Sequence, residues 1–130
     1  MAFEIASIHV IPLFKSETIG PGDYITSDAV DLRDKAQQGI FSLAYFVEVG
    51  TNGTAGTVIW SYVGSSLEGG TYLAPSASVA IGTNGTGGTA YADIKTFEPE
   101  PMPFIKIRGT TTGIAGTGNS VKVTAELIVQ

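Results

Sequence analysis

The stretch Ile40-Phe41-Ser42-Leu43-Ala44-Tyr45-Phe46-Val47-Glu48-Val49 decides the fold class of this chain. On an extended backbone, Phe41, Leu43, Tyr45, Val47 and Val49 fall on one side and Ser42, Ala44 and Glu48 on the other. That two-residue period marks a strand with one face in a core, although Ile40 and Phe46 break its polar side. The period returns at the C-terminus, where Val121, Val123, Ala125, Leu127 and Val129 alternate with Lys122, Thr124, Glu126 and Gln130. Thr57–Val63 sets Val58, Trp60 and Tyr62 against Thr57, Ile59, Ser61 and Val63. Phe104–Arg108 sets Ile105 and Ile107 against Phe104, Lys106 and Arg108. Less regular strand signals cover Phe3–Phe14, Tyr24–Leu32, Thr71–Ala74, Ser78–Ile81 and Ala90–Phe97.

Turn chemistry separates these runs. Gly-Thr-Asn-Gly-Thr occurs at 50–54 and again at 82–86, and Asn-Gly reads as a hairpin turn because both residues tolerate positive φ. The flanks of the two copies do not match, so they are shared turn chemistry and not a repeat. Gly109–Gly118 reads as a long hairpin connection. Pro99, Pro101 and Pro103 remove three backbone donors and predict an extended corner feeding Phe104. Ser27–Gln38 has room for at most a turn or two of helix. Seven to nine short strands between Gly-rich loops, with no βαβ alternation, predict an all-β fold. The expected architecture is an antiparallel β-sandwich, jelly-roll-like, of about eight strands.

Composition agrees. Among 130 residues there are 17 glycines and only 15% charged residues, yet 43% are apolar, too apolar for a disordered chain. Seven basic against twelve acidic residues give a formal charge of −5. An acidic chain without a basic cluster repels phosphates and anionic lipid, which argues against nucleic-acid and membrane partners. The absence of cysteine excludes disulfides and thiolate chemistry. Met1–Phe14 lacks the basic start and cleavage site of a signal peptide, so synthesis in the cytoplasm is expected.

Candidate catalytic groups are sparse. His9, the single histidine, lies between Ile8 and Val10 and opposite both, a packing or surface position. The chain has no G-x-S-x-G elbow and no H-E-x-x-H, and one histidine cannot build a cupin-type metal site. Asp23, Asp28, Asp31 and Asp34 are the densest acids, interleaved with Arg33 and Lys35. Calcium among Asp28, Asp31 and Asp34 stays open, but the D-x-D-x-D-G spacing is absent. The bland alternative is a solvated edge. For an enzyme, Asp28, Asp31 or Glu48 would be the acids. For a sugar-binding module, Trp60, Tyr62, Tyr72 and Tyr91 are the aromatic candidates, with Trp60 placed by its face in the core. The expectation is a non-enzymatic protein without cofactor.

Phe3–Phe14 is apolar on both faces. It reads either as a central strand buried on both sides or as an arm laid over a neighbour. Accordingly the chain divides into residues 1–14, strand or arm, and 15–130, the sandwich. Phe3, Ile5, Ile8, Val10, Ile11, Leu13 and Phe14 are the expected partner or oligomer contacts.

Several segments together resemble a known group: Ile25-Thr26-Ser27-Asp28-Ala29-Val30-Asp31-Leu32-Arg33 followed by Gly39-Ile40-Phe41-Ser42-Leu43, then Trp60-Ser61-Tyr62 and the Gly-Thr-rich loops. Pro103-Phe104-Ile105-Lys106-Ile107-Arg108 and the terminal Ala125-Glu126-Leu127-Ile128-Val129-Gln130 complete the pattern. Over residues 24 to 130 the chain resembles small structural proteins of tailed bacteriophage virions, of the capsid decoration or cement type. That resemblance implies a virion protein on the capsid surface, a homo-oligomer with a trimer favoured, and the major capsid protein as partner. It would stabilise capsomer junctions. The alternative is a carbohydrate-binding or receptor-binding sandwich of a phage tail or cell-surface assembly.

Overall fold

Each alternating run has one apolar side to bury and a row of backbone donors and acceptors to pair, and stacked antiparallel sheets meet both demands. The computed structural model describes residues 8–20, 22–35, 39–49, 58–75, 81–83, 91–99, 102–111 and 120–130. Within them lie nine strands: β1 (His9–Ile19), β2 (Tyr24–Thr26), β3 (Val30–Asp31), β4 (Phe41–Val49), β5 (Val58–Ser65), β6 (Gly82–Thr83), β7 (Tyr91–Phe97), β8 (Phe104–Thr111) and β9 (Val121–Val129). One sheet runs β1-β9-β4-β7; the other runs β2-β8-β5-β6, with β3 also on β8. All pairings are antiparallel.

The pairing is nested. First pairs with last, β1 with β9; then β2 and β3 with β8, β4 with β7, and β5 with β6. A chain folded back on itself in this order and wrapped into two sheets is a jelly roll. β2 and β3 are one edge strand interrupted at Ser27, which makes eight strand positions. There Ser27 replaces part of the ladder: its Oγ accepts the Ile107 N–H at 2.9 Å and donates to the Asp28 carbonyl at 3.0 Å.

Nesting also corrects the two expected hairpins. β4 and β5 lie in different sheets, as do β8 and β9, so neither connection joins paired strands. The turn residues 50–57 and 112–119 themselves lie outside the described residues. The proline segment does join two sheets, leading from β7 to β8. Thr71–Ala74 forms no strand and contributes one bridge, Leu73 to Gly64; Pro75 next in line supplies no donor. Of the Ser78–Ile81 candidate, residues 78–80 lie outside the described residues and Ile81 precedes β6. Where helix was allowed, the described residues up to 35 form a turn at 33–35, and 36–38 lie outside the described residues.

Every odd residue from Val121 to Val129 is buried, as are Phe41, Leu43, Tyr45 and Val47. The centre of the core is Trp60 on β5, fully buried. Its ring lies 5.3 Å from that of Tyr45 on β4 and 6.2 Å from that of Phe14 on β1, so one indole joins both sheets. Gly109, its partner on β8, leaves room for it: a Cβ there would sit 3.0 Å from the indole.

Of the N-terminal segment, residues 8–14 are described, and from His9 they belong to β1, paired with β9 of the same chain. β1 is an edge strand and not a central one, and it continues through Phe14 to Ile19. Within the described residues, the change from exposed Ile8 and Val10 to buried Phe14 follows the register shift between Pro12 and Phe14, and a second shift lies between Phe14 and Glu17. A bulge inserts a residue and exchanges the two faces. Ser16 within the second shift takes φ 49°, and its N–H donates to Thr124 Oγ1 at 3.0 Å.

Candidate functional site

The two sheets turn opposite faces outward, and those faces differ in chemistry. On the first sheet, rows of in-register residues run across the strands. Val10, Ile128, Ser42 and Thr96 form one row; Pro12, Glu126, Ala44 and Ile94 form the next; Thr124, Phe46 and Ala92 form a third. Ile40 and Gln130 extend the β4–β9 ladder through two backbone hydrogen bonds of 3.4 and 3.0 Å, which puts Ile40, by alternation, on the same side. Ile8, Val10, Ile40, Phe46 and Ile94 on this face are all exposed, Ile94 to 63% and Val10 to 56%. Ala44, Ala92 and Thr124 leave an open depression of about 590 Å³ between Phe46, Ile94 and Glu126. The charges in register on this face are Glu126 near the middle and the pair Glu48 and Lys122 at one end; by alternation, exposed Glu98 stands beside Ile40 at the other end.

The edges of this sheet are protected even though its face is bare. On β7 the register places Asp93 and Lys95 opposite the inward residues Tyr45 and Leu43. Their side chains pair at 3.1 Å, and inward-turned charges on an edge strand discourage strand addition. β1 carries Pro12 and two register shifts, which blunt the other edge in the same way. Both edges of this sheet thus carry their own protection, and its exposed apolar area is the face.

On the second sheet the outward residues of β8 are Phe104, Lys106 and Arg108, and each engages a different segment. The Arg33 guanidinium lies 5.0 Å from the Phe104 ring centroid, the Lys106 ammonium 4.3 Å from that of Tyr72, and the Arg108 guanidinium 4.7 Å from that of Tyr24. Arg108 Nε also donates to Thr26 Oγ1 at 3.3 Å. Under this cover Phe104 and Val63 are buried although they point outward. Arg33 is fixed by Asp31, donating through Nε at 3.0 Å and Nη2 at 2.7 Å. These hydrogen bonds from Arg33 hold the Asp31 carboxyl at about 2, well below the usual carboxylate range. The Tyr72 hydroxyl donates to the Glu68 carbonyl at 2.7 Å, and burial, with Glu68 nearby, raises its pKa.

The residues singled out from sequence scatter across this frame. Ile8 and Val10 lie on the bare face, Ile11 and Leu13 pack against the core, and Phe14 enters it; Phe3 and Ile5 lie outside the described residues. His9 is half-buried at the start of β1, beside Val129. Asp31 faces Arg33, while Asp28 and Glu48 are exposed and apart. Among the described residues no three acidic or histidine side chains converge on a metal-sized site. Of the aromatics, Trp60 is core and Tyr62 packs half-buried against Phe97 at 5.9 Å. Tyr72 carries Lys106, and the Tyr91 side chain lies outside what is described. Sequence reasoning missed Tyr24, Lys106 and Arg108, whose signal was the pair of cations two apart on a strand.

No protein-family model matches this chain, and no curated protein matches it in sequence. Solved structures do match in fold. A chain in the structure of infectious bursal disease virus, Gx strain, is similar over 94% of this chain at 16% identity and a TM-score of 0.57. This chain spans 31% of the length of that viral one. The CBM22-1 xylan-binding domain from Paenibacillus barcinonensis Xyn10C is similar over 98% of this chain and 97% of its own, at 8% identity and a TM-score of 0.50. At such identities both likenesses establish the sandwich architecture and nothing finer.

Proposed function

We propose that this protein is a non-enzymatic structural component of a virion, a decoration protein that docks on the assembled capsid through the outer face of its first sheet. The observation that carries the reading is the set of exposed apolar residues Ile8, Val10, Ile40, Phe46 and Ile94 on one face, beside protected edges. A free-standing sandwich turns polar residues outward, and contiguous exposed apolar surface marks an interface. Two of the four strands are nine residues long. At ~3.4 Å per residue and ~4.8 Å between strands, such a face offers roughly 600 Å² per partner. Both partners together clear the ~1,000 Å² expected of a specific contact. Glu126 near the centre asks for a cation on the partner, so the matching shell surface is apolar with a Lys or Arg opposite it. The fold shared with a viral chain and the resemblance to phage decoration proteins support the same reading, with the major capsid protein as partner.

The alternative, a carbohydrate-binding sandwich, draws on the likeness to a xylan-binding domain. The aromatic set first offered for it is weakened by the burial of Trp60 and the packing of Tyr62. Co-sedimentation with capsids separates the two readings. The purified protein is expected to pellet with expanded capsids and not with procapsids. Absence from the pellet with every capsid form would overturn the proposal.

A further inference from the structure

The second sheet's outer face holds a feature the shell contact does not use. In a chain of net charge −5, Lys106 and Arg108 stand two residues apart on β8, facing outward. Among the described residues neither has a carboxylate within ion-pair distance, whereas Arg33 on the same face is bidentate to Asp31. Each is held against a tyrosine ring, and the ring beside Arg108, Tyr24, is itself 55% exposed. The Nε of Arg108 donates to Thr26, and no hydrogen bond from its two Nη groups is found among the described residues. In register beside them stand hydroxyls: Ser61 and Thr26 opposite Arg108, and Thr110 opposite Tyr24.

We infer that Arg108 and Lys106, framed by Tyr24 and Tyr72, form a binding site for an acidic polysaccharide, a chain of sugar rings bearing carboxylates. A planar guanidinium fork matches a carboxylate through two parallel hydrogen bonds. Aromatic rings with a polar edge cover the apolar face of a sugar while the neighbouring hydroxyls meet its own. Stacking has already restricted both cationic side chains, so less rotamer entropy is lost when a ligand arrives. A polyphosphate such as nucleic acid fits less well, because the overall negative charge repels a ligand of that charge density. The site stands on the second face alone. The proposed shell contact adds only an orientation: with the first face buried, this one points away from the capsid.

The test uses the full chain, free of capsids, titrated with oligogalacturonate by calorimetry and by backbone amide shifts. Saturable binding is expected, weakening as salt rises, with shifts centred on Tyr24, Thr26 and Arg108. Arg108→Gln and Tyr24→Ala are each expected to weaken it at least tenfold. Arg108→Lys, which keeps the charge and loses the fork, should also weaken it, and Lys122→Gln on the opposite face should not. The inference is overturned if neutral xylohexaose or polyglutamate binds as tightly as oligogalacturonate, if nothing saturates, or if the shifts fall on β4 and β7. Because the wild-type shifts need no variant, a misfolded mutant does not obscure the answer. Capsid co-sedimentation is read separately, so the two proposals can fail independently.

Discussion

The outer faces of the two sheets share one core and one backbone geometry, yet they are finished differently. On the second, β8 presents Phe104, Lys106 and Arg108, and each meets a partner from another segment: Arg33, Tyr72 and Tyr24. Apolar residues that point outward there, Val63 and Phe104, end up buried. On the first, Val10, Phe46 and Ile94 point outward and stay exposed, with small residues between them and no segment among those described laid across. Cation–π contacts of this kind at exposed sites contribute about 0.5–1 kcal/mol each. Apolar area left in water adds nothing to folding and becomes favourable only when another surface covers it. The difference therefore separates a surface completed by the chain itself from one completed by a partner.

The largest expected effect comes from removing what holds the two faces back to back. Trp60→Ala empties the contact among Phe14, Tyr45 and Trp60 and should cost about 3–5 kcal/mol, as large aromatic deletions do. That is a large part of the ~5–15 kcal/mol typical of a domain. Gly109→Val should be harmful from the other side, by driving a side chain into the indole at 3.0 Å. Denaturant unfolding measures both. If Trp60→Ala is nearly neutral, the faces are not coupled through this residue.

Much of this frame is legible in the sequence. Alternation along 41–47 and 121–129 assigns the buried side correctly, because a one-residue slip would turn the whole apolar set to water. What escapes is long-range. Asn-Gly at 52–53 is a local hairpin signal, but the nested pairing sends β4 and β5 to different sheets, a choice made by whole-chain topology. β1 misleads for a second reason, since two register shifts scramble its period. The cation–π ladder joins residues up to 84 positions apart, Tyr24 and Arg108 among them, which no local window reveals. The bare face was present in the text only as Ile40 and Phe46 spoiling a polar side, an irregularity whose meaning depends on what lies beside it.

A pair of surface substitutions sharpens the comparison next. Ile94→Asp places a charge at the rim of the depression on the first face, and should weaken capsid binding on the order of thirtyfold or more. Fully burying an isoleucine is worth about 1.5–3 kcal/mol, and about 1.4 kcal/mol is tenfold. Because Ile94 is 63% exposed, thermal stability should scarcely move. Lys106→Gln on the second face should show the reverse pattern: capsid binding unchanged, and a small loss of stability from the uncovered Tyr72. Equal losses of capsid binding in both variants would mean that the two faces are not functionally distinct.

The smallest effect concerns the ion pair at the end of the ladder. Asp31 is held at about 2 because Arg33 donates to it. A carboxylate whose pKa is lower folded than unfolded stabilises the fold above its unfolded value, ordinarily ~4, and loses that contribution as pH falls toward 2. Melting temperature should therefore be insensitive to this pair from pH 7 to 5, then fall slightly between about pH 4 and 2. Asp31→Asn should lack that increment of the fall. The pair is exposed, so the change is modest and added salt should reduce it further. Carboxylate titration by NMR provides the direct check, with a midpoint near 2 expected for Asp31. A midpoint near 4 would mean that Arg33 is not held in place over Phe104 in solution. The second face would then be finished at Lys106 and Arg108 only, and the contrast with the first would narrow to those two positions.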